Sequence, residues 1–408
     1  MIFTIAFRNI LRHRRRSFLT GLTLMVGYVL LSLAFSVMEG SYSNLINRFT
    51  LERTGHVQVH RKGYLDRPDI SHTIRDLSAV VATLEADPEV IAFTPRILGP
   101  ALAYAHDKSV PVQVSGIDLR TETTVTNLAE KIDGGSLSAI ETDESGVFGV
   151  MIGAVIAKNL RLKIGDDVIL ISQGADGSIA NDRYRVAAVI GSEDGSDRLT
   201  VYMPIRAARE FFVMPGQVHE FVLRLKRFQH APRVAANLNH RFGKNGVLEA
   251  QTWQRVEEDF YRAMQTDRAG NIVTYSIVIF MVAIGVLNVV LMSILERTRE
   301  FGVLKAIGTK PNTILGMIVL ETVLLSLMSI AVGFVIAIPV NYWFEVHGIV
   351  MDPPFDIGGI SYDRISGELS IATLLEPAFV IVGVAIAVSL FPGLRAAHVR
   401  VVDALRSA

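Results

Sequence analysis

The stretch Glu296-Arg297-Thr298-Arg299-Glu300-Phe301-Gly302-Val303-Leu304-Lys305 opens residues 296–310, which follow an uncharged run at 269–295. Each charged side chain would cost about 2.5–3.5 kcal/mol at mid-membrane, so the chain cannot continue across a bilayer here. Phe301, Leu304 and Ile307 recur at helical spacing, which indicates one apolar and one charged flank. Gly308 and Pro311 then end the helix. The pattern predicts a short amphipathic helix that either flanks the membrane passively or docks a partner.

Four uncharged runs stand out along the chain. They lie close to or above the roughly 20 residues that a spanning helix needs, and they cover residues 18–38, 269–295, 322–344 and 377–394. The first run is too long for the apolar core of a secretory signal and has no convincing cleavage site after it, so we expect a retained anchor. The sequence therefore predicts an α-helical membrane protein with four transmembrane helices.

Lysine and arginine are unevenly distributed around these runs. Twelve precede the first run, follow the fourth, or lie between the second and third, whereas the loop between the third and fourth holds only Arg364. This asymmetry places both termini and residues 296–310 in the cytoplasm. Residues 39–268 then lie on the far side of the membrane.

The large insertion has the pattern of a folded α+β domain. Residues 54–60 alternate between apolar and polar, as in a half-buried strand, with His56 and His60 on its polar side. Two histidines on one strand face could hold a metal, but we expect a solvated face. The polar, aromatic-containing stretch at 251–268 predicts a stalk helix leading into the second span.

These observations give a complete predicted layout. Its segments are a cytoplasmic amphipathic N-terminal helix (1–16), span one (17–38), a periplasmic α+β domain with its stalk (39–268), span two (269–295), a cytoplasmic coupling helix (296–310), span three (311–344), a periplasmic loop (345–369), span four (370–394) and a cytoplasmic tail (395–408).

Composition excludes several functions. Forty basic residues balance forty acidic ones, so charge gives no reason to expect a nucleic-acid partner. The absence of cysteine excludes disulfides and thiolate metal sites. No phosphate-binding G-x-x-x-x-G-K-[ST], G-x-S-x-G elbow or H-E-x-x-H helix occurs, so we expect a non-catalytic chain with no cofactor or metal of its own.

Three motifs together resemble the MacB/FtsX/LolC-type (type VII) permeases of ABC transport systems. They are Ala6-Phe7-Arg8-Asn9-Ile10 before span one, the run from Asn288 through Glu296–Gly308 to Glu321, and Phe391-Pro392-Gly393-Leu394-Arg395 near the end. One large insertion after the first of four spans is also that family's layout. Pro392-Gly393-Leu394 departs mildly from the family, which often has Pro-Ala followed by a basic residue.

The resemblance implies mechanotransmission. In this family the helix after span two sits in a groove of a separate cytoplasmic ATPase, which binds ATP and Mg, and the permease moves its outer domain without conducting the substrate. Two ATPase copies and a second permease copy, identical or different, are the implied partners, with membrane lipids around them. The coupling residues would be Glu296, Arg297, Arg299, Glu300, Phe301, Leu304 and Lys305.

Details of the domain entry favour the lipoprotein-releasing LolC/LolE branch, as do the few residues before span one, where MacB carries an ATPase. This branch implies extraction of a lipidated or amphiphilic cargo from the outer leaflet of a bacterial inner membrane, with a periplasmic carrier as a further partner. Candidate cargo contacts are Phe35, Met38, Ile272, Tyr275 and Ile279, although ordinary helix packing or lipid contact is the simpler explanation for each one alone. An FtsX-like scaffold that activates cell-wall hydrolases and a MacB-like peptide or antibiotic exporter are the alternatives.

Glu321 lies near the start of span three. An ionisable residue there either pairs with another charge or sits at the headgroup level, and we expect the headgroup level.

Overall fold

The computed structural model describes residues 12, 14–140, 147–243, 246–357 and 360–399. The chain forms two compact units. The helical unit comprises Met1–Asn44, Met264–Pro353 and Asp363–Ala408, and the α+β domain comprises Leu45–Ala263 and Pro354–Tyr362. The domain is therefore inserted between the first two long helices, which confirms the predicted fold class.

Eleven helices longer than three residues, leaving aside short 3-10 and π turns, occur in the described ranges. They are α1 (Arg14–Phe49), α2 (Leu77–Glu85), α3 (Leu119–Val125), α4 (Ala154–Leu160), α5 (Ile205–Phe211), α6 (Ala231–Phe242), α7 (Trp253–Val256), α8 (Glu258–Glu296), α9 (Thr298–Ala306), α10 (Pro311–Val346) and α11 (Ile371–His398).

Four of these helices, α1, α8, α10 and α11, are long and apolar enough to cross a membrane. At about 1.5 Å per residue, the 36 residues of α1 and the 39 of α8 extend well beyond the roughly 30 Å of a hydrocarbon core. Each helix therefore includes a polar extension, and these extensions lead to the α+β domain along the chain. The predicted end of span one at residue 38 is a hydropathy boundary, because α1 itself continues to Phe49.

Close packing and polar contacts join the helices of the helical unit. A Cβ at Gly40 would lie 2.3 Å from the carbonyl carbon of Gly367, so only glycine permits this approach of α1 to the segment before α11. Within the bundle Ser32 donates to the Thr373 carbonyl (3.0 Å) and accepts from Asn341 (2.9 Å). Small and hydroxyl-bearing residues are the usual means of holding helices together where lipid removes the hydrophobic drive.

The domain is built on one ten-stranded mixed sheet. Its strands are β1 (Val57–Arg61), β2 (Val90–Ala105), β3 (Lys108–Ile117), β4 (Ile132–Gly135), β5 (Gly149–Gly153), β6 (Asp167–Gln173), β7 (Ile179–Ile190), β8 (Thr200–Pro204), β9 (Glu220–Leu225) and β10 (Leu248–Thr252). The order is β10-β1-β9-β2-β3-β8-β5-β7-β4, and β6 pairs with both β2 and β7. The β3–β8 and β5–β7 pairs are parallel and the others antiparallel.

Strand β1 is buried on both sides, so the prediction of a half-buried strand with a solvated polar face is wrong. His56, Gln58 and His60 are at most 4% exposed. Antiparallel pairing with both β9 and β10 makes β1 an interior strand of the sheet. One ring nitrogen of each histidine has a hydrogen-bond partner, whereas the buried His56 Nε2 and His60 Nδ1 have none among the described residues. The Leu225 amide donates to His56 Nδ1 (3.0 Å), and Gln58 Oε1 lies 2.9 Å from His60 Nε2.

The structure amends one further prediction, and two others concern residues outside the described ranges. Residues 345–369, predicted as a loop, contain the paired strands β11 (Ile349–Ile357) and β12 (Ile360–Ile365). Residues 1–11 and 13 of the predicted N-terminal helix, and residues 400–408 of the predicted tail, lie outside the described residues.

The burial of His56 and His219 predicts that the domain loses stability in acid. Burial, reinforced by the positive charge of Arg224, lowers the pKa of His56 to about 4, and burial also lowers the pKa of His219. Unfolded histidine titrates near pH 6.5, so below that pH the unfolded domain binds more protons than the folded one. We expect stability to fall between about pH 6.5 and 4, by up to about 3 kcal/mol for His56.

Hydrogen exchange of the full chain, corrected for the intrinsic pH dependence of exchange, checks this at β1 and β9. His56→Gln should reduce the pH dependence of protection, whereas the exposed control His240→Gln should leave it unchanged. Equal protection at pH 7 and pH 5 in the unmodified chain would contradict the expectation.

Candidate coupling helix and its anchors

Helix α9 is a short segment between two long helices. It begins after Arg297, where the backbone departs from helical geometry (φ −109°, ψ 12°). It ends at Gly308, whose φ of +95° is a left-handed conformation that favours glycine. The amides of Gly308 and Thr309 donate to the Lys305 and Leu304 carbonyls (both 3.0 Å). Pro311 then begins α10. The sequence thus fixes both ends of α9.

One face of α9 is turned into the helical unit and is anchored by an ion pair. Arg297 is only 5% exposed, and its Nη1 donates to Glu321 Oε2 on α10 at 2.7 Å. Its Nε also donates to Glu300 Oε2 at 3.0 Å, and its guanidinium lies 5.3 Å from the Phe301 ring centroid. Glu321 is 7% exposed, and this ion pair shows that it pairs with another charge. The expected location at the headgroup level stays a prediction.

The same inward face continues through Phe301 and Lys305. Phe301 is 3% exposed and belongs to the core of the helical unit, against which Leu304 also packs. Lys305 Nζ donates to the carbonyls of Ala397 (3.0 Å) and Val399 (2.8 Å) at the end of α11. A cation at a helix C-terminus satisfies free carbonyls and complements the helix dipole. Side chains of α9 therefore contact α10 and α11 directly.

The outward face of α9 carries the remaining predicted coupling residues. Glu296, Arg299 and Glu300 are exposed, as are Val303 (48%) and Ile307 (75%). The predicted division into one charged flank and one apolar flank is therefore wrong. Arg297 faces inward because Glu321 compensates its charge, and Ile307 faces outward beyond the last turn. The face available to a partner combines charge with apolar area.

The predicted cargo residues only partly converge. The rings of Phe35 on α1 and Tyr275 on α8 lie 4.6 Å apart between centroids, and the Tyr275 hydroxyl is 2.7 Å from Met38 Sδ. Ile279 packs against the core of the helical unit, whereas Ile272 is 62% exposed. The structure thus joins Phe35, Met38 and Tyr275 in direct contact between two helices and leaves Ile272 on the outer surface of α8.

A second set of anchors lies inside the α+β domain, where the chain enters and leaves it. The five-residue π-helical turn Thr50–Thr54 follows α1. Arg96 Nη1 donates to the Arg53 carbonyl (2.6 Å), and the Asn127 amide donates to the Leu51 carbonyl (3.0 Å). Lys131 forms an ion pair with Glu52 (3.3 Å). These contacts fix the turn to the domain.

Aromatic rings tie the two entrances together within the domain. Phe49, the last residue of α1, stacks on Phe260 in the first turns of α8, with centroids 3.8 Å apart and planes 3° from parallel. Trp253, which is 2% exposed, lies 5.7 Å from Tyr261. We name this group, with the π-helical turn, the domain joint. Sequence reasoning missed it, although the aromatic spacing in the stalk was a usable signal.

Four apolar helices, an α+β domain inserted after the first, and a short anchored helix after the second define a multi-pass membrane protein of the permease type. Comparison with known families agrees. Residues 17–241 match the MacB-like periplasmic core domain, and residues 272–401 match the FtsX-like permease C-terminal family. The chain belongs to the MacB/FtsX-like family that these two domains define, and it is an ABC transporter permease of type VII. Permease subunits of the family are typically non-catalytic.

Individual relatives come from two branches. The lipoprotein-releasing system transmembrane protein LolC of Xylella fastidiosa is 22% identical over an alignment of 425 positions, gaps included, which covers 98% of this chain and 98% of that protein. LolE of Haemophilus influenzae is 20% identical, with coverage of 94% and 92%. The macrolide export ATP-binding/permease protein MacB of Shewanella oneidensis is 26% identical, but the match covers 82% of this chain and 52% of MacB.

The Arg297–Glu321 pair makes a testable contribution to stability. Removing one partner leaves a buried charge uncompensated, so we expect Arg297→Met and Glu321→Leu each to destabilise the helical unit by about 3 kcal/mol or more. The double variant should regain most of this loss. The chain lacks cysteine, so the buried position Ser389→Cys can report unfolding through a thiol-reactive dye.

Arg299→Met is the matched control, because Arg299 is exposed and its loss should change stability by less than about 0.5 kcal/mol. A double variant that is no more stable than either single variant would contradict the role given to the pair.

Proposed function

We propose that this chain is the permease subunit of an ABC transporter that works by mechanotransmission and extracts lipoproteins, or another lipidated or amphiphilic cargo, from the outer leaflet of a bacterial inner membrane. The observation that carries the proposal is the similarity to LolC, which extends over 98% of both chains. In this proposal, lysine and arginine hold both termini and α9 in the cytoplasm and the α+β domain in the periplasm.

The first step assigned to this chain is docking. A separate cytoplasmic ATPase, one copy for each of two permeases, would contact the outward face of α9 and the residues at its two ends. This surface comprises Glu296 at the end of α8, Arg299, Glu300 and Val303 on α9, and Ile307 directly after it. Charged groups at the rim of such a contact fix its register, and the apolar groups supply most of the affinity. ATP and Mg would be bound by the ATPase, and this chain would contribute the lever.

The second step is transmission through the bundle. Displacement of α9 would act on α10 through the Arg297–Glu321 pair, which is short and buried. It would act on α11 through Lys305, which donates to the carbonyls at the end of that helix. Helix α8 runs without a break from Glu258 to Glu296, so the displacement would be passed along this helix. The ion pair, the Lys305 contacts and helix α8 together would move the α+β domain as a rigid body, provided that the contacts of the domain joint stay intact.

Cargo would enter beside the contact between α1 and α8. Acyl chains are apolar and flexible, and the Phe35–Tyr275 ring pair offers an apolar surface once the two helices separate. Met38 adds a soft, adaptable side chain at the same place. Ile279 would line the deeper part of the opening and Ile272 its lipid-facing side. A second permease copy, identical or different, and a periplasmic carrier would complete the pathway.

Export of a peptide or antibiotic is the second candidate. The 26% identity to MacB, over 82% of this chain, favours it. This chain spans about half the length of that relative, so MacB's own activity does not transfer directly.

Docking predicts a specific loss of coupling. Arg299→Glu with Val303→Glu places two acids on the outward face and leaves the inward face intact. We expect at least ten-fold weaker binding of the ATPase, equivalent to about 1.4 kcal/mol, and loss of stimulated ATP hydrolysis with unchanged thermal stability. Reversing Arg297 would not serve, because that residue is buried.

The control carries the same change of charge on the α+β domain, as Arg120→Glu with Ile91→Glu, both at exposed positions. Coupling should remain normal in this control. Full stimulation of ATP hydrolysis in the α9 variant would remove the docking role.

Lipoprotein release is tested by reconstituting the chain with its ATPase in vesicles that contain a tri-acylated lipoprotein. ATP should transfer the lipoprotein to a soluble carrier. Phe35→Ala with Tyr275→Ala should reduce the transfer several-fold at unchanged basal ATP hydrolysis, whereas the lipid-facing control Ile277→Ala should not. If lipoprotein neither stimulates hydrolysis nor leaves the membrane, release is refuted, and stimulation by a macrolide or peptide instead would establish export.

A further inference from the structure

A cavity of about 590 Å³ lies within the α+β domain, away from the domain joint. Its walls come from the end of β1, the segment before α2, helix α2 itself, the end of α6 and the start of β10. This volume falls in the range of about 300–1,000 Å³ that small-molecule sites occupy.

One side of the cavity is apolar. Ile74 and Val80 are at most 2% exposed and form its floor, and Phe242 and Leu248 extend the surface. Val247 is 62% exposed and projects at the mouth. An apolar chain of a few carbons would find continuous contact on this side.

The other side is cationic. Arg61, Arg75 and Arg241 all line the cavity, and Asp76 is the one acidic residue among the described residues of the lining. The Asp76 carboxylate is already occupied, because it accepts from the Ala79 amide (3.1 Å) and the Ser78 hydroxyl (2.9 Å) at the start of α2.

Two of the three guanidinium groups are available. Arg241 donates to the Thr83 carbonyl (3.2 Å) and lies 4.0 Å from Asp87. Among the described residues, neither Arg61 nor Arg75 has an ion pair or a side-chain hydrogen bond. Three like charges therefore line one cavity with little compensation, which favours an anion.

We propose that this cavity binds a small anionic amphiphile, a molecule with one carboxylate or phosphate head and a short apolar body. Arginine is suited to planar, bidentate pairing with these heads, and the wall formed by Val80, Phe242 and Val247 takes the apolar body. A protein partner would need a contact face of about 800 Å², whereas this is a single concave site. The proposal does not depend on which cargo the permease moves.

Calorimetry on the full chain in phosphatidylcholine nanodiscs, with empty nanodiscs subtracted, tests the site. The probe is hexyl phosphate, and inorganic phosphate and 1-hexanol represent its two halves. We expect saturable binding of one hexyl phosphate per chain, at least ten-fold weaker binding of inorganic phosphate, and no saturable binding of 1-hexanol.

Two variants separate the halves of the site. Arg61→Gln with Arg75→Gln should weaken hexyl phosphate binding at least ten-fold, whereas the control Arg120→Gln with Arg206→Gln, at exposed positions outside the cavity, should leave it unchanged. The exposed substitution Val247→Asn should weaken hexyl phosphate but not inorganic phosphate. The proposal is overturned if hexyl phosphate does not saturate, if the Arg61/Arg75 variant binds it like the unmodified chain, or if inorganic phosphate binds equally tightly.

Discussion

The buried ion pair between Arg297 and Glu321 is the interaction on which the arrangement of the helical unit depends. A bare charge at this position would be expelled toward water, and α9 would then be a mobile flank of the second long helix. Pairing at 2.7 Å holds it instead against α10, and Phe301 follows it into the core. Buried pairs rarely add stability over an apolar substitute, so we propose that this pair serves to specify one geometry. The proposed role of α9 as a lever requires such a specified geometry.

The same logic applies inside the α+β domain. The backbone carbonyls of the π-helical turn Thr50–Thr54 accept from Arg96 and from the amide of Asn127, so the end of α1 has a fixed attachment to the sheet. Arg96 is in turn held by Glu122 through two hydrogen bonds. Stacking of Phe49 on Phe260 links the polar extension of α1 to that of α8. Each unit therefore has an internally satisfied polar anchor where a long helix begins or ends.

The sequence predicts those features that depend on local composition. Hydropathy and the cost of charge in a bilayer give the four spans, the inserted domain and the interruption at 296–310. The alternating and helical patterns within the insertion give its α+β class. The continuation of α1 to Phe49 escapes a hydropathy reading because residues 39–49 are polar and helical at once. The sequence does not predict the paired strands β11 and β12, because they lie in the short stretch between the third and fourth spans that was predicted as a loop.

Other features depend on partners far away in the chain. Arg297 turns inward because it pairs with Glu321, 24 residues later. The buried His56 accepts a hydrogen bond from the amide of Leu225, 169 residues away. The arginine-lined cavity is assembled from separate segments between Arg61 and Leu248. The spacing of residues in one sequence does not indicate which distant side chains will contact each other. Helical and apolar patterns, in contrast, depend on residues that are close together in the chain.

The central claim of the proposal is that an ATP-bound ATPase displaces α9 and that this displacement is transmitted to the α+β domain. Cysteine is absent from the chain, so spin labels at Lys108→Cys in the domain and Lys310→Cys beyond α9 can be introduced without background. The account predicts that the distance distribution between the two labels shifts when an ATP-loaded, hydrolysis-deficient ATPase binds, and returns when nucleotide is removed. An unchanged distribution under conditions in which cargo is still transported would contradict it.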